Sequence, residues 1–117
     1  MISVDKLYEL FVDTLSHLEE RKSNLSDKDL SISFEDLESD AFSFMHHRNI
    51  KLLIDAKKIP TEIQSDILEI RTQILKEMET TNSIEQFRSD TRWVKIRNKV
   101  NILKEKITHH NTGYTQC

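Results

Sequence analysis

One amphipathic segment near the middle of the chain, Ile59 to Thr80 (IPTEIQSDILEIRTQILKEMET), limits the possible folds most strongly. Ile63, Ile67, Ile70, Ile74 and Met78 recur at spacings of four, three, four and four, one face of a helix with about 3.6 residues per turn. Leu68 and Leu75 widen the stripe. Pro60 suits the opening turn, because its φ is already helical and it has no N–H to leave orphaned. Such a stripe demands apolar partners on each flank. One Gly and one Pro in 117 residues leave little of the turn punctuation that many short strands need. The expectation is all-α: a single-domain helical bundle of about five helices over residues 1–108, with 109–117 as a flexible C-terminal tail.

The flanks supply the partners. Ser3 reads as a helix cap, with Asp5 in the first turn and Val4, Leu7, Phe11, Leu15 and Leu18 as the buried stripe; Arg21 and Lys22 suit its C-terminus. Residues Ser23 to Ser33 read as a long loop anchored by Leu25, Leu30 and Ile32. Ser33-Phe-Glu-Asp36 resembles a capping box and predicts a second helix carrying Phe34, Leu37, Ala41 and Phe44 or Met45 on one face. Asn49 reads as the cap of a short, central third helix, ending at Lys57 and Lys58 because Pro60 pushes Ile59 out of the α region. Ser83-Ile-Glu-Gln86 is a second capping box. Asp90 caps the last helix, where Trp93, Ile96, Val100, Leu103 and Ile107 form a seam ringed by Arg92, Lys95, Arg97, Lys99, Lys104 and Lys106.

Net charge is −3, but it is unevenly spread. Met1 to Met45 holds eleven Asp or Glu against four Lys or Arg; His46 to Cys117 holds nine against thirteen. Asp27, Asp29, Glu35, Asp36, Glu38 and Asp40 face only Lys28, a density of one sign that costs self-repulsion and marks the candidate partner-binding surface. Two plain alternatives stand beside it: a merely solvated face, or an acidic front half docked on the basic last helix.

No arrangement in the chain carries a signature of catalysis. His46-His47-Arg48 contains acid/base groups, but neighbours on a helix point about 100° apart and do not converge on one atom, so a packing role or one at a helix C-terminus is expected. His109-His110 lacks a fixed third ligand, and the paired acids lack the Glu-x-x-His of di-iron bundles. The expectation is no catalytic residues, no metal and no cofactor. The lone Cys117 has no intrachain partner, the first twenty residues carry Asp5, Glu9 and Asp13 where a leader would be basic and then apolar, and no apolar run approaches a membrane span. A cytoplasmic protein that engages neither membrane nor nucleic acid, with a monomer favoured, is expected.

Four stretches carry a family resemblance: Phe44-Met45-His46-His47-Arg48-Asn49, Leu52-Leu53-Ile54-Asp55, Ile59-Pro60-Thr61-Glu62-Ile63, and Asp90-Thr91-Arg92-Trp93-Val94-Lys95-Ile96-Arg97. Their order resembles small helical bacterial immunity proteins of polymorphic or contact-dependent growth inhibition toxin systems, over about residues 34 to 107. The resemblance implies a stoichiometric inhibitor that binds one cognate toxin domain, often a nuclease. The acidic stretch supports this separately, because a nuclease site must be positive to hold phosphate and an acidic inhibitor is steered onto it. The alternatives are a helical regulatory module in which the Trp93 seam pairs two chains, and a small RNase acting through His46 or His47.

Overall fold

Helix follows helix along the chain: α1 (Val4–Ser16), α2 (Asp27–Phe44), α3 (His47–Asp55), a 3-10 turn (Thr61–Ile63), α4 (Gln64–Thr80), α5 (Ile84–Ser89) and α6 (Thr91–Thr115). The computed structural model describes residues 2–19 and 24–115. The all-α expectation holds, with six helices where about five were expected. The centre of the bundle is built by α2 lying against α1 and α4, and by α4 lying against α6.

Most residues of the stripes read from the sequence lie in the core, with Val4, Phe34, Leu68 and Leu75 half-buried at its edge. Ile63, Ile67, Ile70 and Ile74 are buried, with Met78 packed partly against them. Leu7, Phe11, Leu15 and Leu18 come from α1 and the turn after it, and Trp93, Ile96, Val100, Leu103 and Ile107 from α6. Phe34, Phe87 and Trp93 meet edge to face with centroids 4.7 to 6.1 Å apart, the arrangement that ring quadrupoles favour. The Trp93 indole N–H donates to Thr81 Oγ at 2.9 Å, so its one polar atom is satisfied inside the core.

Two helix starts differ from the sequence reading. No loop runs to Ser33: α2 begins at Asp27, where Ser26 Oγ accepts from the Asp29 N–H at 3.2 Å and Asp27 and Asp29 complement the helix dipole. Leu30, Ser33, Leu37 and Ala41 then form one buried stripe, so Ser33 sits mid-helix, and Ile32 is exposed where it was expected to anchor a loop. The cap of α3 is His46, whose Nδ1 accepts from the Arg48 N–H at 3.3 Å. Asn49, the expected cap, lies inside α3 and donates instead to the Ser43 carbonyl at 2.6 Å. Ser3, Ser83 and Asp90 cap as expected. The proposed role of Arg21 and Lys22 falls outside the described residues.

The end of α3 closes through paired bonds, Lys58 N–H to Leu53 carbonyl and Lys57 N–H to Ile54 carbonyl, both 2.9 Å. That motif needs a left-handed residue, which is Lys57 at φ 62°. At the far end, α6 runs past Thr108 to Thr115, and His110 Nε2 lies 3.3 Å from the Lys57 carbonyl.

Candidate functional site

Because α2 buries Leu30, Ser33, Leu37 and Ala41, helical phasing turns the opposite side outward. Asp27, Asp29, Glu35, Asp36 and Glu38 are exposed, and Asp40 is half-buried. The six carboxylates are not equivalent. Asp27 pairs with the Arg88 guanidinium at 2.7 Å, joining the start of α2 to α5. Asp40 lies 3.3 Å from His17 Nε2, while His17 Nδ1 lies 2.9 Å from Ser33 Oγ, so one imidazole bridges two turns of α2. Among the described residues Asp29, Glu35, Asp36 and Glu38 make no ion pair. The run thus splits between structure and surface: its first and last members, Asp27 and Asp40, tie the bundle together, and the members between them face solvent.

Among the described residues, the acidic front half meets the basic last helix in one ion pair, Lys104 with Glu19. Three more cations of α6 are paired with α4 or with its own cap: Lys99 meets Glu69 and Lys106 meets Asp66, each at 3.4 Å, while Arg92 lies 3.4 Å from Glu77 and 3.5 Å from Asp90. The charge of α2 is therefore left largely uncompensated.

Arg97 departs from the basic outer face. It is 4% exposed, with its guanidinium donating to the carbonyls of Phe87 at 2.5 Å and Arg88 at 3.0 Å, and burial, followed by the nearby Arg88 charge, lowers its affinity for the proton. Its Nε has no partner among the described residues.

Two residues enlarge the candidate site beyond what charge suggested. Phe42, 61% exposed on the last turn of α2, borders a shallow groove with Glu35, Glu38, Ser39, Ser43 and, from α4, Leu75. Ile32, 50% exposed, lies on the same outward side. Arg71 of α4 holds this end of α2 by donating to the Ala41 carbonyl at 3.2 Å and the Phe42 carbonyl at 3.0 Å. Phe42 carries no charge and lies out of phase with the core stripe of α2, and that mismatch of phase is the only trace of its role in the sequence. Arg71 gave no local signal.

The histidine pair occupies the α2–α3 corner. The rings of His46 and His47 lie 4.4 Å apart, and desolvation, then the charges of His47, Arg71 and Arg48, holds the His46 imidazole below its ordinary value. Its Nδ1 is committed to the α3 cap. Among the described residues no three His, Cys, Asp or Glu gather as metal ligands, and no helix is long and apolar enough to cross a membrane. No protein-family model matches the chain, and no curated protein or solved structure matches it either.

Proposed function

We propose that this protein is a stoichiometric inhibitor, a bacterial cytoplasmic immunity protein that binds and neutralises a basic toxin domain of nuclease type and has no catalytic activity of its own. The observation that carries this reading is the exposed middle of α2, where Glu35, Asp36 and Glu38 make no ion pair among the described residues although α6 is rich in cations. A same-sign face kept on a rigid, capped helix costs self-repulsion without a folding benefit. Its benefit comes on encounter, where complementary charge accelerates association and rejects like-charged partners. Asp27 and Asp40 belong to the frame of this surface more than to the contact itself.

The decisive test is co-expression. If the reading frame immediately upstream encodes a large secreted protein with a basic C-terminal domain, that domain should arrest growth when produced alone, and this chain should relieve the arrest and co-purify with it. Arrest that persists, with no complex formed, would reject the inhibitor.

The regulatory alternative needs a surface other than the Trp93 seam, since Trp93, Ile96, Val100, Leu103 and Ile107 are buried within the chain. The RNase alternative is tested below.

A further inference from the structure

Phe42 is an aromatic ring left in water on a helix that has a core to bury it in. Its 61% exposure does not come from looseness: the Arg71 guanidinium stands over the ring at 5.3 Å while bonded to the carbonyls of Ala41 and Phe42. The ring forms one wall of the groove between α2 and α4, and Leu75, half-buried, supplies the apolar surface from α4. Glu35 and Glu38 line the same groove, and neither meets a cation among the described residues. Arg71, whose guanidinium stands over Phe42, is already committed to two carbonyls.

The sign of the rim selects the occupant. Nucleic acid and an anionic bilayer would bring phosphate against two carboxylates, and a neutral apolar ligand would desolvate those carboxylates without replacing their hydration. A lysine or arginine side chain answers both requirements, with its aliphatic stem along the ring and its charged head at a carboxylate. Phe42 and Leu75 give the groove apolar walls beside its two carboxylates, so a segment that alternates cationic and apolar residues fits better than an isolated charge.

We propose that the Phe42–Leu75 groove is a docking site for a cationic amphipathic segment of a partner protein, with Phe42 as the apolar anchor and Glu35 and Glu38 as the charge partners. The partner's identity rests on the inhibitor reading; the groove's chemistry is testable without it.

The probe is a synthetic lysine–leucine amphipathic peptide, titrated into the isotopically labelled full chain at about 50 mM and about 300 mM NaCl, the second chosen to screen charge acting alone. Amide shifts should cluster at Ser39, Phe42, Ser43 and Leu75. Phe42→Ala should weaken binding about tenfold at both salt concentrations, as loss of a central anchor does, and Glu35→Gln with Glu38→Gln should weaken it mainly at low salt. A control pair, Glu62→Gln with Glu79→Gln, should bind as the parent does. Shifts scattered over all acidic residues, or a Phe42→Ala variant that is folded by circular dichroism and binds normally, would overturn the groove. Growth protection separates the two readings. Peptide binding at the groove without toxin protection removes only the immunity function; protection that survives Phe42→Ala removes only the groove.

Discussion

Arg97 lies within the core with the ring of Phe87 5.0 Å from its guanidinium and the Phe87 carbonyl 2.5 Å from one of its nitrogens. A buried cation whose hydrogen-bond partners are carbonyls is unusual, and its physical basis is the end of α5. That six-residue helix leaves carbonyls at its C-terminus with no helical N–H to meet them, and the guanidinium supplies two donors at once.

Removing the arginine should therefore cost more than a surface charge does. Arg97→Ala strands two acceptors and opens space beside Phe87, and is expected to lower stability by about 3 kcal/mol. Arg97→Lys cannot span both carbonyls and should lie between the variant and the parent. Urea denaturation of the three proteins checks this; equal midpoints would put the side chain in solvent.

The core itself carries a larger expectation. Ile70→Ala and Trp93→Ala should each cost about 2 to 5 kcal/mol, since both side chains are buried in the single apolar cluster. Trp93→Phe keeps most of the ring contact but loses the bond to Thr81, which is worth about 1 kcal/mol. Losses below about half a kcal/mol in the alanine variants would contradict the packing described above.

How much of this was legible depended on whether the deciding contact was local. The stripes of α4 and α6 were readable because periodicity alone marks a core face, and Ser3, Ser83 and Asp90 were readable because a cap acts within three residues. The start of α2 is not decided locally, because Ser26-Asp-Lys-Asp29 and Ser33-Phe-Glu-Asp36 offer similar capping chemistry. What decides between them is Ser33 in the buried stripe, where His17 satisfies its hydroxyl from 16 residues away. His17 with Asp40, and Arg71 with the end of α2, likewise join residues distant in sequence, so their contribution to the candidate site had no local trace. The exposed carboxylates at Glu35, Asp36 and Glu38 were legible from phase and composition together.

His46 gives the α2–α3 corner a dependence on pH. Its Nδ1 accepts the Arg48 N–H only when that nitrogen is unprotonated, and its folded pKa lies below the ordinary 6.5. In the window below 6.5 the unfolded chain binds the proton more readily, so the stabilisation present above 6.5 is lost as pH falls through the folded value. His46→Ser keeps an accepting oxygen at any pH. The parent's thermal midpoint should therefore fall further than the variant's between about pH 7.5 and about pH 5.5, where histidine titrates. Parallel curves would rule out the cap as the cause. The same variant decides the RNase alternative: incubation of purified parent with total RNA should leave the RNA intact, and a cleavage that vanishes in His46→Ser or His47→Ala would displace the inhibitor reading.

The remaining expectation separates the contact surface from its frame. Glu35, Asp36 and Glu38 are exposed and make no ion pair among the described residues, so changing all three to lysine should leave the fold nearly as stable as before. Asp40 differs, because its loss leaves His17 holding α2 by Ser33 alone. Asp40→Lys should lower the thermal midpoint, where the triple-lysine variant does not. On binding, the order should invert. Reversing three charges on the outward face of α2 slows encounter with a basic toxin domain, most at low ionic strength, where the field reaches furthest. Reversing Lys99 and Lys106 alters residues that meet Glu69 and Asp66 on α4, and should leave the association rate almost unchanged. Stopped-flow association at two salt concentrations measures both. A folded triple-lysine variant that associates and protects like the parent would reduce the acidic run to a solvated face.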